Sequence, residues 1–390
     1  MFNNVLLFVA AVLVALVLVL RGLNVAVAIL IAFLAYSIPT LRGDFFQVLL
    51  RGVDETLLNT VLALVSAMFL ANLYRFHAVS ERLVYALKNA GSRMAGVAIP
   101  AIIGLLPMPA GAYVSAVMVN EVYNELGLRN EQKTFINYWF RHVWIPTWPL
   151  YQGVILTAGV LGLGIVEVVS RTWPIMVASI LSGVIVSAGM LRREMGRVGG
   201  GGFAGLIHMW PLIALSVLSV VLHVPLFIAI LLTAIALTLV YRVPGSTVVK
   251  SAMKALDAQL IGLITVSFLF GEVVEYTELT VALVNAVGCS NALVLVFTLP
   301  FVLVLATGFE FTFVVLAFPV LKPLLGGIGL TIAYLSGFLG AMLSPAHACL
   351  VISSKYFNSK LPAVYKHLLP ATALTAVFTL LLSVPLRATA

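Results

Sequence analysis

Long apolar runs separated by short polar loops make up almost the whole chain. Runs with little or no charge fall at about 4–20, 24–39, 57–74, 135–163, 168–191, 204–222, 224–241, 259–275, 329–351 and 363–386. A membrane-crossing helix needs about 17–25 apolar residues, so each run predicts one crossing, about ten transmembrane helices in all. Two further apolar stretches, about 94–120 and 291–325, are interrupted in the middle. Their arms of about 12–16 residues rise only about 18–24 Å at about 1.5 Å per residue. That is short of a hydrocarbon core of about 30 Å, so each stretch predicts a re-entrant hairpin. The first breaks at Pro107-Met108-Pro109-Ala110-Gly111 and the second at Thr307-Gly308-Phe309. Irregular backbone at membrane depth needs protein or a water-filled cavity around it, and the tips therefore predict a cavity.

The pattern occurs twice. Both halves run two helices, an amphipathic connector (Gly43 to Glu55, Gly245 to Asp257), a helix, a hairpin and two helices. Arg42 and Arg242, Asn89 and Asn285, Pro100 and Pro300, and Pro146 and Pro345 occupy matching places. Five crossings per half is an odd number, so the second copy would enter the membrane upside down. The reading is of one all-α polytopic membrane domain built from two inverted-topology repeats, 1–199 and 200–390, an arrangement common among secondary transporters. The boundary falls in the polar, glycine-rich stretch from Arg192 to Gly202.

Composition sharpens this picture. Only 9% of residues are charged and 62% are hydrophobic, against about 25% charged in a soluble domain. The two cysteines, Cys289 and Cys349, support neither a disulfide framework nor a cysteine-rich metal site, and no metal or cofactor is expected. Sixteen of the 22 Lys and Arg lie in loops opposite the termini, five lie on the terminal side, and Arg141 lies within the membrane. The positive-inside rule then puts both termini outside a multi-pass plasma-membrane protein. The same rule accounts for the net charge of +8 without nucleic acid. Val5 to Leu20 lacks a basic leader and small-residue cleavage site, and is expected to be a retained first helix.

Few residues can carry chemistry. Glu310 follows the break of the second hairpin between Phe309 and Phe311, with Thr307 and Thr312 beside it. An ionisable group at the bilayer centre costs about 2.5–3.5 kcal/mol on insertion scales and is by default a functional candidate. These three are the expected ion-coupling residues, the alternative being that Glu310 neutralises a structural Arg. Asn137, Arg141 and His142 precede Pro146 and Pro149, which should break the helix and free carbonyls. Arg141 offers a fork suited to carboxylate or phosphate, unless it snorkels to a headgroup. Ser344 and His347 flank Pro345 in the matching segment. In the first hairpin, Gly111 and Tyr113 open a half-helix whose N-terminus attracts anions. Substrate binding is assigned to Arg141, His142, Asn137, Gly111, Tyr113, Ser344 and His347. No His-Glu-x-x-His, phosphate-binding loop or Gly-x-Ser-x-Gly motif occurs, so the chain is not expected to be an enzyme.

The segments Asn137-Tyr138-Trp139-Phe140-Arg141-His142-Val143-Trp144, Leu106 to Ala112 and Leu343 to Leu350 resemble the prokaryotic membrane family called domain of unknown function 401. That family looks like a branch of the ion transporter superfamily. The resemblance implies two hairpins, two interrupted helices, a homodimer embedded in lipid and elevator-type alternating access. The hairpins with 135–163 and 329–351 would move against a scaffold including 57–74 and 259–275. The Ser-Asn-Thr motif of sodium-coupled dicarboxylate members is absent. The expected function is secondary active transport of a small anionic solute, driven by H+ or Na+. The alternatives are a lipid or polyprenyl-phosphate translocator, or an intramembrane enzyme on a lipid-linked substrate.

Overall fold

A computed structural model describes residues 2–76, 92–106, 111–191, 207–288 and 292–384. Every regular element among them is helical. In chain order these are α1 (Phe2–Leu20), α2 (Val25–Leu41), α3 (Phe45–Arg51), α4 (Glu55–Phe76), α5 (Ser92–Gly104), α6 (Gly111–Glu125), α7 (Asn130–His142), α8 (Gln152–Leu161), α9 (Ile165–Ser187), α10 (Trp210–Ser216), α11 (Leu226–Val240), α12 (Gly245–Ala255), α13 (Ala258–Tyr276), α14 (Leu279–Val287), α15 (Ala292–Thr307), α16 (Thr312–Leu316), α17 (Phe318–Leu321), α18 (Gly329–Leu343), α19 (Ala348–Tyr356) and α20 (Leu361–Leu382).

Among the described residues, seven helical segments are long and apolar enough to cross a membrane. They are Asn3–Leu20, Val25–Arg51, Glu55–Arg75, Ile165–Ser187, Ala258–Tyr276, Gly329–Tyr356 and Leu361–Leu382. Large apolar side chains such as Leu13, Leu20, Ile185, Leu239 and Leu381 face outward, where a lipid environment makes their exposure favourable. This is an all-helical membrane protein. Two runs expected to cross are apolar but shorter, Ile207–Val221 and Leu226–Val240.

The breaks fall where proline and glycine put them. The run expected over 135–163 ends at His142, turns through residues 143–151 and resumes at Gln152. Pro146 and Pro149 lack the amide needed to continue the ladder. The turn closes on itself instead, through Ile145 N to His142 O at 3.2 Å and Trp148 N to Trp144 O at 2.9 Å. The run over 329–351 likewise breaks at residues 344–347, around Pro345. The stretch 291–325 breaks at 308–311, but its second arm is not one helix. It is two short α-helices followed by a 3-10 turn over Lys322–Leu324, because Pro319 and Pro323 interrupt it. The short helix α14 was not expected. Pro107 to Ala110, the tip of the first expected hairpin, lies outside the described residues, as do Asn89 and Cys289.

Packing is reciprocal between the two halves. Helices α2 and α3 pack on α13, while α11 and α12 pack on α4. Helix α5 packs on α7 and α15 on α18, α6 on α19 and α16 on α8, and α9 on α20. Hydrogen bonds follow the same exchange. Buried Asn72 of α4 donates Nδ2 to Ser251 O at 3.2 Å. Tyr36 of α2 shares a 3.0 Å hydrogen bond with Thr277, and Tyr276 donates to Asp44 at 2.7 Å.

Candidate functional site

Two glycines let the chain close tightly around the breaks. Gly104 ends α5 where an added Cβ would lie 2.1 Å from Arg141 O. Gly308 has φ +71°, and its Cβ would lie 2.6 Å from the Ala346 carbonyl carbon. The first apolar arm in each half therefore sits backbone-to-backbone against the broken segment that follows it. Ser344 strengthens the second contact by donating Oγ to Leu305 O at 2.7 Å.

These contacts bring three breaks to one cavity of about 310 Å³. Its wall includes Gly111, Arg141, Tyr151, Gln152, Gly308, Glu310, His347 and Cys349, with Met68, Asp257 and Gln259 from α4 and the start of α13. The centre of the chemistry is Glu310. Its Oε1 lies 3.3 Å from His142 Nε2 and 3.2 Å from His347 Nε2. Both imidazoles are buried, and the carboxylate is partly open to the cavity. The first histidine comes from the end of α7, the second precedes α19, and the acid lies between α15 and α16.

The hydrogen bonds around His142 fix its role. Its Nδ1 lies 2.5 Å from Tyr138 O. A carbonyl can only accept, so Nδ1 carries the proton, and a neutral ring then presents a lone pair at Nε2. That nitrogen has no hydrogen-bond partner among the described residues, although Glu310 Oε1 is its neighbour. Tyr138 is itself held by donation to Ala341 O at 2.9 Å, which fixes α7 against α18. Arg141 donates Nη1 to Cys349 Sγ at 3.4 Å, while its buried Nε has no hydrogen-bond partner among the described residues.

The structure gathers Arg141, His347, Glu310 and Gly111 on the wall of this cavity, with His142 buried behind Glu310. Other sequence-assigned residues have structural occupations nearby. Asn137 donates Nδ2 to Ala112 O at 3.2 Å and to Ser353 Oγ at 3.0 Å, tying α6 and α19 to α7. Thr307 donates to Leu303 O at 2.7 Å and to Thr312 Oγ1 at 3.2 Å, closing the turn behind Glu310. Ser344 is spent on Leu305. Tyr113 stands apart from the cavity: it is 52% exposed and its ring packs on Tyr356. Two positions beyond Gly111 on a helix, it points to a different face.

The chain matches the family described as protein of unknown function (DUF401) over residues 3–384. The chain belongs to the DUF401 family. No curated protein matches it. Sequence reasoning about this DUF401 chain missed wall residues such as Gln152 and Gln259 and, nearest the chemistry, Cys349, whose sulfur lies with one ring nitrogen each of His142 and His347 in a group whose atoms are all within 4.8 Å of one another. The spacing His347-Ala348-Cys349 directly after a helix break was the available signal.

Proposed function

We propose that this DUF401 protein is a secondary active transporter of a small anionic solute, coupled to H+ or Na+. One observation carries the reading. Arg141 is buried with an Nε that has no hydrogen-bond partner among the described residues, and it borders a cavity shared with Glu310, between interrupted helices of a membrane protein. An unpaired buried guanidinium donor is costly, and an anionic ligand satisfies it. A carboxylate or phosphate matches the fork of Arg in shape and charge. Glu310 supplies the opposite charge for the coupling cation. Gln152 and Gln259 on the wall add neutral polar contacts.

The architecture proposed with it is two inverted repeats, 1–199 and 200–390, with about ten crossings and two re-entrant hairpins. The exchange of α2 and α3 with α11 and α12 between α13 and α4 supports it, since a two-fold axis in the membrane plane makes such pairings in twos. The breaks after α7, α15 and α18 would belong to the moving part and α4 and α13 to the scaffold. A homodimer in the plasma membrane, with both termini outside, completes the proposal.

The test starts from purified protein. Thermal stabilisation is measured against sugar acids, mono- and dicarboxylates and inorganic phosphate. The anion that stabilises the wild type is then followed into proteoliposomes under imposed pH and Na+ gradients. Arg141→Lys keeps the charge and loses the fork, so its stabilisation by that anion should fall at least tenfold in apparent affinity. Equal affinity in both proteins, or uptake independent of both gradients, refutes the reading.

A further inference from the structure

We propose that His142, His347, Cys349 and Glu310 form a binding site for one divalent d-block cation of the zinc class. The donor set is two imidazoles, one thiol and one carboxylate. This mixture suits Zn2+ and its neighbours, while Na+, Mg2+ and Ca2+ prefer oxygen donors throughout.

Distances support the assignment. Bonds of about 2.0–2.1 Å from zinc to nitrogen or oxygen give tetrahedral ligand-to-ligand edges of about 3.3–3.4 Å. Glu310 Oε1 lies 3.3 and 3.2 Å from the two Nε2 atoms. Those separations match the edges and are long for charge-assisted hydrogen bonds, which run about 2.7–2.9 Å. The sulfur and both histidine nitrogens already lie within 4.8 Å of one another, and a rotation of the Cys349 side chain toward the edge length completes the cluster.

His142 gives the independent observation. Its Nδ1–H donates to Tyr138 O, so in the neutral ring Nε2 carries the lone pair; Nε2 is buried 3.3 Å from Glu310 Oε1 and has no hydrogen-bond partner of good geometry among the described residues. With the ring neutral, two electron-pair donors face each other in a buried site, and a metal cation between them satisfies both. A metal-binding histidine characteristically donates its other ring N–H to a carbonyl or carboxylate, which orients the ring. Tyr138, anchored on Ala341, performs that service. Thiolate and carboxylate together neutralise a divalent ion, and Arg141, 3.4 Å from the sulfur, leaves one positive charge beside it. The inference concerns what the cluster binds. It stands whether or not the chain moves a solute, and each reading fails on its own experiment.

The test uses the full chain purified in detergent and stripped with chelator. Titration with Co2+ as the probe should give one ion per chain, with the intense visible bands of tetrahedral cobalt and a near-ultraviolet thiolate-to-cobalt band. Zn2+ should displace it and Mg2+ should not. Cys349→Ser should lose the thiolate band and at least about 100-fold in affinity, the upper end of what even an orienting partner contributes. Cys289→Ser, which removes the other cysteine, should keep both. Absence of cobalt binding, a thiolate band that survives Cys349→Ser, or one lost in Cys289→Ser overturns the proposal. If Cys349→Ser does not fold, X-ray absorption of the zinc-loaded wild type decides: one sulfur and three nitrogen or oxygen neighbours support the site, and any other sulfur count overturns it.

Discussion

Three glycine-to-alanine substitutions separate the two constraints that hold the break at Gly308. At Gly308 an alanine meets both. The residue has φ +71°, and a left-handed conformation costs an L-residue about 1–2 kcal/mol. Its Cβ would also lie 2.6 Å from Ala346 C and 2.8 Å from His347 N, where ordinary contact begins at 3.4 Å. The obstacle is backbone, which cannot swing aside as a side chain can, so overpacking adds about 1–3 kcal/mol. Gly308→Ala should therefore cost about 2–5 kcal/mol. Gly22 has φ +87° and nothing within 4 Å of its Cβ, so Gly22→Ala should cost only the conformational part, about 1–2 kcal/mol. Gly104→Ala tests the clash alone, against Arg141 O at 2.1 Å, less about 1 kcal/mol of regained helix propensity. The assay is denaturant-induced unfolding of the three variants in one detergent, followed by tryptophan fluorescence. Gly308→Ala should also weaken ligand stabilisation more than Gly22→Ala, because the clash displaces His347. The argument is refuted if Gly308→Ala unfolds no earlier than Gly22→Ala.

Glu310→Gln keeps shape and removes charge, so it should abolish gradient-driven accumulation of the solute in proteoliposomes while expression and chromatographic behaviour stay those of the wild type; undiminished accumulation would remove Glu310 from coupling. Asn137→Leu removes the donor that joins α6 and α19 to α7 and strands buried acceptors, so it should destabilise by about 1–3 kcal/mol, measured by the same unfolding assay. Orientation can be read with an impermeant thiol reagent on intact cells. Gly43→Cys should label and Gly22→Cys should label only after permeabilisation, and the reverse pattern would place the termini inside.

How much of this was legible depended on where the information sits. The interruptions at residues 143–151, 308–311 and 344–347 are written locally, in Pro146, Pro149, Gly308 and Pro345, because proline and glycine act on their own backbone. Helix α14 was not legible. Its nine residues fall between the runs 259–275 and 291–325 and are too short to predict a crossing. Tyr113 lies away from the cavity for a related reason: proximity to Gly111 in sequence is no guide to which face of α6 it takes. Cys349 shows the limit most clearly. The His347-Ala348-Cys349 spacing is local, but the thiol gains chemical meaning only when His142 and Glu310 arrive beside it, and that proximity has no trace in local sequence.

The reciprocal packing of the halves bears on how the chain is made. Asn72 lies buried in a membrane helix, and the carbonyl that satisfies it belongs to Ser251. Tyr36 waits in the same way for Thr277. During synthesis the first half must therefore enter the bilayer with these polar groups still unpaired, and α4 with its packing face bare, until about 180 more residues have left the ribosome, following the 179-residue separation of Asn72 and Ser251. A chain cut short before α12 is not a smaller version of the protein but a membrane-embedded intermediate with unmet polar groups, the kind of species that membrane quality-control proteases recognise. The first half thus depends on the second for these pairings, and supplying residues 200–390 as a separate polypeptide should rescue residues 1–199 from degradation.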